Sequence, residues 1–583
     1  MRFGRFAPSR GLLITLLLAV VSTACTNDQG ADQSTLPDPK ESADAFVEVW
    51  NSSDVAGMAE LLAADATVTR SELAKAIAKA PGQEVAQGFD IALTEEIEVP
   101  EGDDEADDLA LPAPYEISYE VPDFDDVSLE GELELLYEPE SETWDVVPPD
   151  DLMFPGVDGG VRLDLAADWP RRGTILDRNG KPIAKGNGLA RTYPFGSLAG
   201  SSVGHIERVT TKTIDEVAPG HEVGDLVGGS GLEEAYEERL SGQPDLRLRV
   251  VNRKGKVLDL LEKVAGAPPK NLRATLDMRV QHATSNAFGS TVGGTVVLDP
   301  SSGDILAAVS SSEIDPNGYV GAVGVEPFNR ALSGTYPPGS SMKVVTAGAA
   351  LDTGVVKPST QLTGPAEYQG VRNFESGAYA SLDFASAVRF SVNTAFAQVA
   401  LDLGAKRLIK YAKLFGFNRE PVMPLEAARS SFPFPENAGD LMWGSIGQAQ
   451  DLATPLQMAS VVATVANDGV RMEPRSSLHD PKEGARVLRK KTATELSLLM
   501  EGAVNGGTGT NARISGVRVA GKTGTAEVDV HGERKNHAWF VTFAPVEAPA
   551  MALSVVSELG GIGGQVAAPI AQSIYTGVLP LVQ

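Results

Sequence analysis

One cysteine, Cys25, in 583 residues leaves the chain unable to close a disulfide within itself. Its six histidines are scattered without metal-ligand spacing, so neither a metal nor a cofactor is expected. No internal repeat is found. Lysine and arginine are missing from Pro81 to Val161, and residues 31–155 carry 34 acidic side chains against 4 basic ones. The whole chain has a net charge of −29, so the remainder is close to neutral. Such an acidic surface repels anionic lipid and nucleic acid, and nucleic-acid binding is excluded from the expected functions. It fits docking to a basic partner or, with fewer assumptions, a solvated repulsive surface. Thr94–Asp108, with nine acidic residues, reads as a flexible loop.

A long hydrophobic run is also missing from the N-terminus. Arg2, Arg5 and Arg10 precede the uncharged run Gly11–Ala24. Those 14 residues fall short of the about 20 that span a bilayer, but they match the apolar part of a signal peptide. The small residues Ser22-Thr23-Ala24 before Cys25 predict a lipoprotein cleavage site with Cys25 lipidated, although Ser22 stands where leucine is usual. A short uncleaved anchor and simple secretion are the alternatives. Residues 1–25 are therefore read as signal or anchor, and polar residues 26–40 as a tether. The rest is expected to work outside the cytoplasm, at the plasma membrane.

What is present suffices for about three folded units with 42% apolar residues. Chemistry concentrates in three short segments. Ser340 follows Tyr336-Pro337-Pro338-Gly339 and opens an apolar run that fits a helix ending near Gly354, with Ser340 in its first turn. Lys343, three residues on and on the same face, is the only charged side chain between Arg330 and Asp352. An amine in such surroundings is desolvated and becomes a neutral base able to activate a serine hydroxyl. The helix N-terminus offers N–H groups to a developing oxyanion. The competing reading makes Ser340 an N-cap and lets Lys343 reach solvent.

Ser391-Val392-Asn393 precedes a helical run. Ser391 is placed to relay a proton and Asn393 to hold a substrate amide; a helix cap is the alternative. Lys522-Thr523-Gly524-Thr525 sits in a strand-like run from Val517 to Val528. There Gly521 and Gly524 allow close approach of a ligand to the backbone, and the cation of Lys522 with the hydroxyls of Thr523 and Thr525 suits a carboxylate. The competing reading is a solvated lysine on a surface strand. A lone Lys-Thr-Gly arises by chance in roughly one such chain in ten. Three motifs in this order, each in the context its chemistry needs, do not.

Together these segments resemble the class B penicillin-binding proteins, in which Ser-x-x-Lys, Ser-x-Asn and Lys-Thr-Gly recur. Gly444–Gln448, Ala453–Met458 and Asn536–Phe540 are similar to further segments of that family. Arg171–Gly180 and Ser230–Glu233 resemble parts of its pedestal, or dimerisation, domain. Residues Ala43–Trp50, Trp144–Val146 and Met153–Gly156 resemble the nuclear-transport-factor-2-like cone of low-affinity members. The resemblance implies an α+β multidomain chain: a cone at 41–155, a pedestal at 160–275 and a transpeptidase domain at 290–580. That last domain is expected to be a mostly antiparallel sheet flanked by helices, like serine β-lactamases. It includes a hairpin of residues 294–299 and 304–309, strands at 517–528, 537–545 and 551–559, and a C-terminal helix from Gln565 to Leu579.

The resemblance further implies a D,D-transpeptidase that cross-links peptidoglycan stem peptides and is acylated by β-lactams. Ser340 is then the nucleophile, Lys343 its base, and Ser391 and Asn393 the second motif. Lys522, Thr523, Gly524 and Thr525 bind the substrate carboxylate, and the backbone N–H groups of Ser340 and Thr525 form the oxyanion hole. No glycosyltransferase domain is apparent, so a glycan polymerase is an expected partner. The rival functions are a D,D-carboxypeptidase or β-lactamase-like hydrolase, for which no convincing extra deacylating carboxylate is seen, and a β-lactam sensor or structural scaffold.

Overall fold

A computed structural model describes residues 36–583, except 65, 67, 79–84, 100–108, 126, 150, 151, 156–160, 375, 376 and 583. The N-terminal segment with Cys25, most of the acidic loop and Gly156 lie outside the described residues. The chain forms two compact units: residues up to Leu163 with Val250–Leu258, and Asp164–Arg249 with the chain from Asp259 onward. Among the described residues, no helix is long and apolar enough to cross a membrane.

The first unit places helices α1 (Pro39–Asn51), α2 (Val55–Glu60) and α3 (Arg70–Ala78) before an antiparallel sheet. Its strands β1 (Gly88–Leu93), β2 (Ala110–Glu120), β3 (Val127–Glu138) and β4 (Thr143–Val147) lie side by side in that order. Asp38 caps α1 by accepting from the Lys40 N–H, with Pro39 starting the helix. β2 alternates strictly, burying Leu111, Ala113, Tyr115, Ile117 and Tyr119. Trp50 of α1 meets Phe46 and Tyr115 edge-on, with ring centroids 5.9 and 5.2 Å away. The hydroxyls of Tyr115 and Tyr119 donate to the carbonyls of Leu152 and Met153, seating the segment that leaves the sheet. On the solvent side Glu116 stands directly opposite Glu130. That like-charge pair is tolerated because water screens it.

The second unit is built on a five-stranded antiparallel sheet of β5 (Gly293–Leu298), β6 (Ile305–Ser310), β7 (Ala520–Val530), β8 (Glu533–Ala544) and β9 (Met551–Ser557). The order β6-β5-β9-β8-β7 joins strands from both ends of the domain and leaves β7 at an edge. Helices α4 (Met278–Phe288), α5 (Lys343–Asp352), α6 (Asn393–Leu403), α7 (Pro455–Ala466), α8 (Lys490–Gly506) and α9 (Ala567–Val582) surround it. Successive residues of a strand serve opposite cores: Val296 and Leu298 pack with α7 residues such as Met458, and Val297 with α4 and α9 residues such as Phe288 and Ile574. Thr454 caps α7 through the Gln457 N–H, and Pro455 occupies its first position.

The two pedestal-like segments meet within this unit. Glu233, fully buried, takes the guanidinium of Arg172 at 2.9 Å and that of Arg191. Arg172 also pairs with Glu237 at 2.7 Å. A buried carboxylate shared by two arginines is satisfied only while all three stay in register, which ties these segments to one arrangement. Tyr236 donates to Asp480 at 2.6 Å, linking this region to the catalytic half of the same unit.

Candidate active site

The chain before Ser340 is held from several sides. The Tyr336 N–H donates to the Ala453 carbonyl at 3.0 Å, and the Trp539 indole N–H donates to the Pro337 carbonyl at 2.9 Å. Gly339 has φ +52°, and its N–H donates to the Gly447 carbonyl at 2.9 Å. A Cβ there would sit 2.8 Å from the Thr525 carbonyl, so only glycine fits. Ser340 itself is half-buried, in a 3₁₀ turn spanning Gly339–Met342. This corrects the expectation that Ser340 occupies the first turn of an α-helix. The Ser341 N–H reaches back to the Pro338 carbonyl at 3.2 Å, tightening the turn before α5 begins at Lys343. In such a turn side chains three apart lie nearly over one another. No side chain caps this helix end, which removes the capping alternative for Ser340.

Lys343 is 1% exposed and does not reach solvent. Its Nζ donates to the Ser391 carbonyl at 2.8 Å and to Asn393 Oδ1 at 2.5 Å, with Ser391 Oγ at 3.2 Å. Burial, then the nearby Lys522 charge, pushes its pKa well below the usual lysine value. Ser391 has φ +57°, a strained conformation for a serine, in the turn before α6. Asn393 opens α6 and passes its other amide end to the Arg372 carbonyl at 2.8 Å. Its oxygen accepts from Lys343, which occupies one of its two lone pairs. Neither Ser391 nor Asn393 caps α6.

Lys522 is also 1% exposed, not a solvated surface lysine. Its Nζ donates to Ser391 Oγ at 2.8 Å and to the Thr523 carbonyl at 2.9 Å, and burial brings its pKa down to about 7. Ser391 Oγ thus lies between two amines from opposite walls. Gly521 and Gly524 serve differently from the expectation that they admit a ligand. A Cβ at Gly524 would meet Ser341 Oγ at 2.5 Å and the Pro338 carbonyl at 2.8 Å, and one at Gly521 would strike the Phe540 ring at 2.5 Å. The space they leave is filled by the protein, which lets β7 lie directly against the Ser340 turn. Thr525 is half-buried on this edge strand, where alternate N–H groups point away from the sheet.

The structure therefore gathers Lys343, Ser391, Asn393 and Lys522 and sets the Ser340 turn against Thr525. It also brings in groups from outside the three catalytic motifs, Gln448 of the family-like segment Gly444–Gln448 and Thr508, which no motif marks. The Gln448 side chain donates to the Thr525 carbonyl at 3.2 Å, and Thr508 Oγ1 lies 2.6 Å from Thr523 Oγ1. The glycine-rich stretch Gly506–Gly509 was the one sequence signal near Thr508.

With this geometry in hand, family models match three consecutive stretches. Residues 38–160 match an NTF2-like N-terminal transpeptidase domain, 185–274 a penicillin-binding protein dimerisation domain, and 293–576 a penicillin-binding protein transpeptidase domain. The peptidoglycan D,D-transpeptidase PbpA of Mycolicibacterium smegmatis is 34% identical over 403 residues, which cover 60% of this chain and 79% of that protein. The chain belongs to the class B penicillin-binding proteins. Escherichia coli K12 peptidoglycan D,D-transpeptidase MrdA is 27% identical over 438 residues, covering 64% of this chain and 69% of that one. Among solved structures, Pseudomonas aeruginosa PBP2 in complex with WCK 5153 superposes with TM-score 0.62 at 29% identity, covering 71% of this chain and 96% of that one. The ceftriaxone acyl-enzyme of Mycobacterium tuberculosis penicillin-binding protein A gives 0.56 at 27% identity, covering 70% and 98%. As a penicillin-binding protein, the chain carries Ser340, Ser391 and Lys522 inside its matched transpeptidase domain.

Proposed function

We propose that this penicillin-binding protein cross-links peptidoglycan through an ester on Ser340. The observation that carries the reading is a buried, weakly basic Lys343 one turn beyond Ser340, sharing Ser391 with Lys522. Lys343 accepts the Ser340 proton as Oγ attacks the penultimate D-Ala carbonyl carbon of a stem peptide. The N–H groups of Ser340 and Thr525 receive the oxyanion. The C–N bond breaks, and terminal D-Ala leaves with a proton returned through Ser391. An amine from a second strand then displaces Ser340 from the ester, and the serine regains its proton. Lys522, Thr523 and Thr525 seat the donor carboxylate, and a β-lactam acylates the same serine with its own carboxylate in that seat.

The domain division proposed is a cone at 41–155, a pedestal at 160–275 and the transpeptidase at 290–580. Gly11–Ala24 and Cys25 support attachment to the outer face of the plasma membrane. A separate glycan polymerase supplies the strands.

Mass spectrometry after penicillin treatment tests the reading. An adduct is expected on the peptide containing Ser340, persisting well beyond seconds; a rapidly lost adduct would favour hydrolysis. The pH dependence has a definite sign. Lys522 is a cation below about 7 and neutral above it in the empty site, so the second-order rate of acylation should fall as pH rises through that value. Lys522→Arg, whose charge does not titrate, should lose that limb of the profile.

A further inference from the structure

Beside the pedestal-like segments lies a half-open cavity of about 250 Å³, with no residue of the three catalytic motifs in its wall. Trp169, Ile206 and Leu226 give it an apolar side. The indole of Trp169 stacks on His221, with ring centroids 3.9 Å apart and planes 8° from parallel, and its N–H donates to the Gly220 carbonyl at 3.1 Å. With one face and its only donor taken, the indole offers the cavity hydrocarbon alone. Arg172, also in the wall, has no charge to spare. Its guanidinium donates to the side chain and the carbonyl of Glu233, each at 2.9 Å, and to Glu237 at 2.8 Å. The polar groups left open are of another kind. Asn187 accepts the Arg172 backbone N–H at 2.9 Å, so its amide hydrogens remain to give. Ser241 donates to the Gly242 carbonyl at 3.1 Å, so its oxygen remains to accept. Asp225 takes the Glu222 N–H on Oδ2 at 2.9 Å, and its side chain is 39% exposed, which leaves Oδ1 open to a donor.

We infer that this cavity binds an uncharged sugar ring, an N-acetylated amino sugar of the glycan strand; the choice of that strand rests on the acyl-transfer reading above. A sugar ring carries C–H groups on its faces and, around its rim, hydroxyls that both donate and accept. The indole meets the first, and Asn187, Ser241 and Asp225 meet the second. An acetylated nitrogen bears no charge and adds one amide N–H and one carbonyl, which suit Asp225 and Asn187 in turn. A phosphate or free carboxylate is disfavoured, because it would face the Asp225 charge with the Arg172 cation already spent on two carboxylates. Holding the strand outside the catalytic cleft keeps the polymer at hand between successive acyl transfers, since a tethered substrate rebinds at a raised effective concentration.

The test titrates the full chain with tetra-N-acetylchitotetraose, read by saturation-transfer NMR, and compares chitotetraose, whose amines are free and charged. Trp169→Ala is expected to weaken binding of the acetylated sugar about tenfold, the scale of uncovering roughly 50 Å² of apolar surface. Trp169→Phe keeps a ring and should recover most of that loss. Asp225→Asn keeps an oxygen for the Glu222 N–H and should weaken binding about fivefold, because a neutral acceptor replaces a charged one. Acylation by benzylpenicillin should proceed at the unaltered rate in all three variants, which shows that they are folded. Prior acylation of Ser340 should leave sugar binding unchanged. Undiminished binding by Trp169→Ala and Asp225→Asn would overturn the inference. Tighter binding of the charged chitotetraose would also overturn it, since the cavity would then read an amine. So would loss of sugar binding on acylation, which would put the sugar in the catalytic cleft. If the unaltered chain takes no acyl group on Ser340, the acyl-transfer reading fails while sugar binding at the cavity is still measured, so the two failures separate.

Discussion

Ser340→Ala is expected to abolish covalent labelling by penicillin while leaving the fold intact. Ser340 is half-buried at the head of its turn, and no side chain caps that helix end, so removing one hydroxyl disturbs little packing. Two other serines are close, and neither is suited to replace it. Ser341 is fully buried against Gly524, where a Cβ would lie 2.5 Å from its Oγ. Ser391 Oγ is held by Lys343 and Lys522. Labelled protein on a denaturing gel, with the adduct mapped by mass spectrometry, checks the outcome. Normal labelling of the alanine variant at another residue would refute the assignment of Ser340. Comparing growth of cells carrying Ser340→Ala with cells lacking the protein separates catalysis from scaffolding.

The second large effect is expected at Lys343. A neutral amine has two hydrogens and one lone pair. The hydrogens are accounted for by the Ser391 carbonyl at 2.8 Å and Asn393 Oδ1 at 2.5 Å. The lone pair is then turned to a hydroxyl, Ser391 Oγ at 3.2 Å in the empty site, and is free to take a hydroxyl proton, which is what a base requires. Lys343→Met keeps the apolar stem and removes the base, and acylation should slow by about 10²- to 10⁴-fold. Lys343→Arg should not rescue it, because a guanidinium stays protonated at any working pH. Stopped-flow acylation measures both variants, alongside thermal unfolding to show that they are folded. Acylation of Lys343→Met within tenfold of the unaltered rate would remove Lys343 from the mechanism.

Much of the frame was legible in short apolar runs and the turns between them. β5 and β6 are such runs, buried along their whole length, on either side of a Pro300–Gly303 turn, and that pattern names a hairpin. The clustering of Lys343 with Ser391 and Asn393 could be anticipated because a lone charge in an apolar helix needs partners. The 3₁₀ turn at Ser340 could not, since it depends on the Gly447 carbonyl taking the Gly339 N–H from over a hundred residues away. Gly524 was assigned to ligand approach because glycine spacing says that room is needed, not what fills it. Thr508 and Gln448 lie in turns whose residues follow no period, so only folding shows which strand atoms they meet.

Gly339, Gly447 and Gly524 together have a further consequence. Each fills its place with main chain alone: Gly447 would drive a Cβ to 2.2 Å from the Gly339 carbonyl, and Gly524 to 2.8 Å from that of Pro338. The distance between nucleophile and edge strand is therefore set by contacts that no rotamer can adjust. Any side chain introduced at these three positions would have to displace main chain, so this spacing cannot be tuned in small steps there.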